Sequence, residues 1–156
     1  SWSANPEYMQ IWLMNGAFEG REEAERGWFD LKVDAAAHTI TVTVDGRRIH
    51  RGPATGVVIA NGQFIDGLDV VPRGHPGDGR LEVQVHWLRP GERGAMRRRL
   101  ATGSHLPHPR IRTASGRRVR VHVEGGVWPL RVDGAPSGRA GTVECEVVSP
   151  AARLLL

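Results

Sequence analysis

Between residues 56 and 88 the chain sets an unbroken apolar run, Val57-Val58-Ile59-Ala60, before a turn-rich stretch and then a strict alternation. The run reads as a buried strand, and the alternation places Leu81, Val83, Val85 and Trp87 inward with Glu82, Gln84 and His86 outward. The Asn, Asp, Gly and Pro residues between them predict a polar rim joining two core strands, and function is expected on that rim. The same period of two sets Ile40, Val42 and Val44 against Thr39, Thr41 and Thr43, and Asp45-Gly46 then signals a hairpin leading to Arg48 and Ile49. Val119, Val121 and Val123 alternate with Arg118, Arg120 and His122, and residues 127–132 and 142–148 read as further strands after Gly-rich turns.

Helical signals are sparse. Asn5 as a cap and Pro6 at the first helical position, followed by Tyr8, Ile11, Trp12 and Met14, predict a short helix to about Ala17. Residues 19–26 are charged and read as a solvated turn or helical linker, while Trp28 and Phe29 read as core or interface aromatics. Residues 92–100, with Ala95, Met96 and the trio Arg97-Arg98-Arg99, predict one or two helical turns before Gly103. The apolar end, Ala151 to Leu156, is expected to dock. Many short strands with few helices predict one mostly β domain over 1–156, an antiparallel β-sandwich-like fold with a short N-terminal helix.

At 156 residues and 40% hydrophobic, the chain can bury a core without a disulfide or a structural metal. Its one cysteine, Cys145, alternates with Val143 and Val147 on a strand pattern and reads as a buried thiol. No apolar run is long enough to cross a membrane and no signal-peptide order opens the chain, so it is expected to be soluble and cytoplasmic, at most peripheral at a membrane. The net charge of +4 rests on arginine, with Lys32 the one lysine. Arginine suits bidentate recognition of phosphate or carboxylate, although a GC-rich coding sequence gives the same bias.

The chemistry-bearing residues are read against plainer roles. His105 and His108 flank Leu106-Pro107, but no cysteine pair or HExxH helix completes a zinc site, so both read as ordinary loop and surface histidines. Ser104 and Ser115 lack the Gly-x-Ser-x-Gly elbow of a hydrolase. The arginine trio lacks interleaved aromatics and reads as a solvated face, with no nucleic-acid partner expected. Gly77-Asp78-Gly79 precedes a strand rather than a helix, which excludes a phosphate loop and leaves a hard-cation site or a plain turn.

In order and spacing, Asn61-Gly62, Gly67-Leu68, Pro72, Asp78-Gly79-Arg80-Leu81, Gly103-Ser104-His105 with His108-Pro109, and Val132-Asp133-Gly134 resemble one domain type. From about Tyr8 to the end, the chain resembles the C-terminal domain of the diacylglycerol kinase and sphingosine kinase family of lipid kinases. The resemblance implies an NAD kinase/diacylglycerol kinase-like fold and a partner N-terminal ATP-binding domain that this chain lacks. Between the two domains, ATP and Mg2+ phosphorylate a lipid hydroxyl of diacylglycerol or a sphingoid base.

Residue by residue, the resemblance implies that Asp78 holds a structural Mg2+ together with the backbone carbonyls of His75 and Arg80. It places Asp133 at the catalytic centre as a base or metal-positioning carboxylate; the plainer reading is that Asp133-Gly134 turns a hairpin. Two departures stand out. The family's Asp-Gly-Glu ends in Ala135 here, and its Gly-Gly-Gly is Ile65-Asp66-Gly67. The expected reading is the C-terminal domain of a lipid kinase, inactive alone, meeting its substrate at a membrane surface. The alternatives are a noncatalytic lipid-binding or regulatory module of the same fold and an arginine-dependent nucleic-acid binder. Homo-oligomerisation is left open.

Overall fold

The computed structural model describes residues 10–14, 39–65, 68–75, 77–133 and 135–148. Residues 10–14 form a strand, β1 (Gln10–Met14), and not the predicted helix. Its backbone is paired on both sides, with residues 56–60 along one edge and 130–132 along the other. Filling a gap between two strands satisfies both of its hydrogen-bonding edges, and that pairing overrides a weak local preference for helix. The proposed cap at Asn5-Pro6, the linker 19–26, Trp28-Phe29, Asp66-Gly67 and the end 151–156 lie outside the described residues.

The alternation from residue 39 forms β2 (Thr39–Val44), with Ile40, Val42 and Val44 buried. Asp45 (φ 48°) and Gly46 (φ 78°) both adopt the left-handed conformation, giving the tight turn whose twist matches the strands it joins. The chain returns as β3 (Arg47–Pro53), then enters the fully buried β4 (Gly56–Ala60). A small hairpin follows, β5 (Phe64–Ile65) with β6 (Leu68–Asp69), and the second central strand is β7 (Leu81–His86). A 3-10 turn, Pro90–Glu92, leads into the one described α-helix, α1 (Arg93–Leu100). The remaining strands are β8 (Ile111–Gly116), β9 (Arg118–Val123), β10 (Trp128–Val132), β11 (Ala135–Ala140) and β12 (Thr142–Glu146).

Six strands form one sheet in the order β11-β10-β1-β4-β7-β8, and four form another in the order β12-β9-β2-β3. Every described pairing is antiparallel. The sheets close on a shared core in which Ile40, Val42, Val119 and Val121 meet Val57, Ile59, Leu81 and Val83, with Trp128 also buried there. The expected antiparallel sandwich is therefore present.

A second apolar cluster lies on the other face of the larger sheet, where Met96 and Leu100 of α1 pack with Val58, Ala60, Val70, Val71 and Ile111. This cover corrects the sequence reading of β7. Gln84 and His86, expected to face solvent, are buried at 2% and 0% exposure. Alternation assigns opposite faces but does not say whether the second face is covered, and here helix and loop cover it.

Cys145 is a buried thiol on β12, as its pattern predicts, and burial pushes its pKa up to about 11. Thiolate is therefore scarce at neutral pH. Folded protein is expected to resist a disulfide reagent until denaturant is added; rapid full labelling of the native chain would contradict that burial.

Candidate functional site

The strand register brings separate motifs to one end of the larger sheet. Val132 lies beside Ile11, Ile11 beside Ile59, Ile59 beside Val83, and Val83 beside Ala114, a single row across β10, β1, β4, β7 and β8. Asp133 leaves β10 at the end where Ala60 leads out to Asn61-Gly62 and where Arg80 leads into β7. With neighbouring strands about 4.8 Å apart, the Asp133 turn is roughly 10 Å from the exit of β4 and roughly 14 Å from the entry of β7. The predicted polar rim exists, and Asp133 joins it through β1.

Asp133 is exposed and has φ 50°, a left-handed conformation that short polar side chains tolerate. It opens the two-residue connection that returns β10 into β11, so it does turn a hairpin. Ala135, paired with Val132 at the start of β11, is exposed, and its methyl supplies no second carboxylate.

Asp78 sits in a compact, exposed loop. Its Oδ1 accepts a hydrogen bond from the Arg80 amide at 2.8 Å, its own amide donates to the His75 carbonyl at 3.2 Å, and His75 Nδ1 accepts the Gly77 amide at 3.2 Å. Gly79, at φ 68°, makes the reversal that closes this Asx turn. The Arg80 side chain is drawn away onto β8, donating to Ser115 Oγ at 2.9 Å and to the Ser115 carbonyl at 2.8 Å. Among the described residues no group of three His, Cys, Asp or Glu side chains gathers to hold a metal. The Asp78 loop supplies one carboxylate, whose Oδ1 accepts the Arg80 amide, and a hard divalent cation takes oxygen ligands of that kind.

A cleft of about 630 Å³ opens beside the rim, lined among others by Pro72, Glu82, Gln84, Leu106, His108 and Ser115. Glu82 and Ser115 face each other across β7 and β8 in the row next to the rim. Behind the cleft lies a buried polar cluster that the sequence reading missed. Gln84 Nε2 donates to the Val70 carbonyl at 2.7 Å, and Gln84 Oε1 lies 3.1 Å from His86 Nε2. Burial, reinforced by the nearby His105 and His108, pushes the His86 pKa down to about 3.

His105 was read as an ordinary loop histidine and is instead fully buried. Burial lowers its pKa, with the Val70 carbonyl and the Asp69 carboxylate pulling partly the other way. Neither of its ring nitrogens has a well-formed hydrogen bond. Asp69 Oδ2 accepts from Gln63 Nε2 at 3.1 Å, and a Cβ on Gly103, which has φ 67°, would collide with that carboxylate. Gly103 is thus required twice, for its backbone and for its lack of a side chain. The one sequence signal for this cluster was the Gly103-Ser104-His105 spacing, since nothing local marks a loop histidine as buried.

Residues 33–156 match the family model described as the YegS C-terminal NAD kinase beta sandwich-like domain. No curated protein matches the chain. Among solved structures, one named as a "putative diacylglycerol kinase" from Bacillus anthracis str. Sterne superposes with a TM-score of 0.65 at 16% identity, covering 93% of this chain and 57% of the other. Another from the same organism, named as a diacylglycerol kinase, gives 0.62 at 12% identity, covering 92% of this chain and 54% of the other. At these identities the likeness is one of fold, and the chain spans just over half the length of either structure.

Proposed function

The chain belongs to the family of YegS C-terminal NAD kinase beta sandwich-like domains, and we propose that it serves as the lipid-side domain of an ATP-dependent lipid kinase. The reading rests on the convergence of Asp133, Asn61-Gly62 and the Asp78 loop at one end of the six-stranded sheet. In this role Asp133 accepts the proton of a lipid hydroxyl as the phosphoryl group arrives, which requires an exposed carboxylate on a fixed turn. The nucleotide is held by a separate ATP-binding domain facing this rim. The cleft beside Glu82 and Ser115 receives the substrate, either a diacylglycerol or a sphingoid base.

Asp78 with the carbonyls of His75 and Arg80 would hold a Mg2+ ion, which would tie the loop and so brace the rim. Titration calorimetry of Mg2+ into the domain should give binding heat that Asp78→Ala removes. Identical heats from both proteins would defeat the assignment.

The kinase reading is tested by radiolabelled phosphate transfer from ATP to a panel of diacylglycerols and sphingoid bases, using the natural polypeptide that carries this chain with its nucleotide-binding domain. Transfer to one lipid class names the substrate. No transfer to any lipid, from folded protein that still binds vesicles, would replace the kinase by a lipid-binding module. Ala135 favours that second reading, because it removes a carboxylate from the rim.

A further inference from the structure

Two strands that end their sheets, β3 and β8, run along the same border of the sandwich. Between them lies a groove of about 590 Å³, bordered by Asp45, Arg47, Arg48, Arg112, Thr113 and Ser115 among others. Arg47 pairs with Val44 and Arg48 with Thr43, but His50 then pairs with Val42, leaving Ile49 as the extra residue of a β-bulge. A bulge increases local twist and re-aims side chains, and here two consecutive arginines border one groove.

The opposite wall is keyed into that bulge. Arg112 reaches across from β8 to donate Nη1 to the Ile49 carbonyl at 2.7 Å, and its guanidinium lies 5.8 Å from the centre of the Trp87 ring. Backbone and ring together fix its orientation while leaving other N–H groups of the fork uncommitted. The other arginines of the smaller sheet are spent differently: Arg51 pairs with Glu124, Arg118 with Glu146 and Arg120 with Glu144. Arg47 and Arg48 have no carboxylate partner among the described residues. The one acidic side chain of the groove, Asp45, is already engaged, its Oδ1 accepting the amides of Arg117 and Arg118 at 2.9 Å each.

We propose that the groove between β3 and β8 is a phosphate-binding site in which Arg47, Arg48 and Arg112 hold the anion. Three arginines of which one is held rigid, facing a single compensated carboxylate, match the charge and fork geometry of a phosphate group. The carrier of that phosphate is either an anionic lipid headgroup or a soluble phosphate ester.

The test measures the whole chain against glycerol 3-phosphate by calorimetry. In parallel it measures flotation with vesicles of phosphatidylcholine alone or mixed in equal parts with phosphatidylglycerol. The variant Arg47→Gln/Arg48→Gln is compared with Arg118→Gln/Arg120→Gln, which removes the same charge from another part of the surface, with circular dichroism verifying both folds. Loss of two charge-assisted contacts is expected to weaken binding by about tenfold or more in the first variant and by less than about twofold in the second. Loss for both probes supports the site irrespective of carrier; loss for vesicles alone supports it as a headgroup site, and for the ester alone as a soluble-phosphate site. Equal weakening in the two variants, or binding to neither probe, would overturn it.

Discussion

Changing Asp133 to Asn is expected to lower phosphate transfer from ATP to lipid by about two to four orders of magnitude, the range a positioned general base supplies. The same change should keep the backbone turn intact. Asp133 holds φ 50° at the start of the β10–β11 connection, and Asn accepts the left-handed conformation as readily as Asp. Alanine is the poorer probe, because it adds a backbone penalty of about 1 kcal/mol at such a position and mixes stability with chemistry. Transfer at the wild-type rate by Asp133→Asn would show that the hydroxyl proton goes elsewhere, and would remove Asp133 from the reaction.

Acidification from pH 6.5 should destabilise the domain well before its carboxylates protonate. Burial holds the folded His86 neutral down to about pH 3, whereas an ordinary histidine protonates near 6.5. Between those values the unfolded chain binds a proton that the folded chain refuses, so stability falls as pH falls. The slope is up to about 1.4 kcal/mol per pH unit for each such histidine, and it vanishes above the unfolded value. His105, also depressed by burial, adds to the same slope. Glu92 and Glu124 are held below their ordinary value of 4.5, so their contribution is lost only at lower pH. Urea midpoints between pH 6.5 and about 4.5 therefore isolate the histidines. His86→Gln keeps an N–H donor for Gln84 and should reduce that slope by one histidine's share. A wild-type slope in the variant would show that His86 is not the group refusing the proton.

The central strands were legible because their side chains sort cleanly between core and solvent. Val57-Val58-Ile59-Ala60 predicted β4, and the alternating valines predicted β2, β7 and β9. β3 was signalled only by the Asp45-Gly46 turn before it, and among the strands the pattern did not reveal, β8 and β11 lie at the borders of the larger sheet, where a sequence such as Ala135–Ala140 shows little alternation. An edge strand is held by pairing on one side and need not bury a full face, so its sequence carries a weaker signal. β1 was misread for a different reason. Ile11, Trp12 and Met14 fit a helix as well as a strand, and the pairing with β4 and β10 that decides the matter is far away in sequence.

The candidate site divides along the same line. Asn61-Gly62, Asp78 and Asp133 were each legible as polar turns, because Gly, Asn and Asp mark turns locally. Their meeting at one sheet end was not legible in the sequence, since it depends on a register running across four strands. The burial of Gln84, His86 and His105 was not legible at all. It follows from Met96 and Leu100 of α1 laying an apolar cover over the sheet, and helical spacing alone does not say which surface a helix will cover.

The arginines on β3 have a bearing on how copies of the molecule behave at high concentration. A bare edge strand offers unpaired amides and carbonyls to the edge of another copy, and sheets can join through it without limit. Here β3 carries exposed Arg47, Arg48 and Arg51 and ends on Pro53, while β11 at the far border of the larger sheet carries Pro136 and Arg139. Like charges brought edge to edge repel, and a proline supplies no amide to the joint. The chain thus keeps two of its open borders unattractive to one another, and stripping their charge would leave those borders more open to joining edge to edge into ribbons.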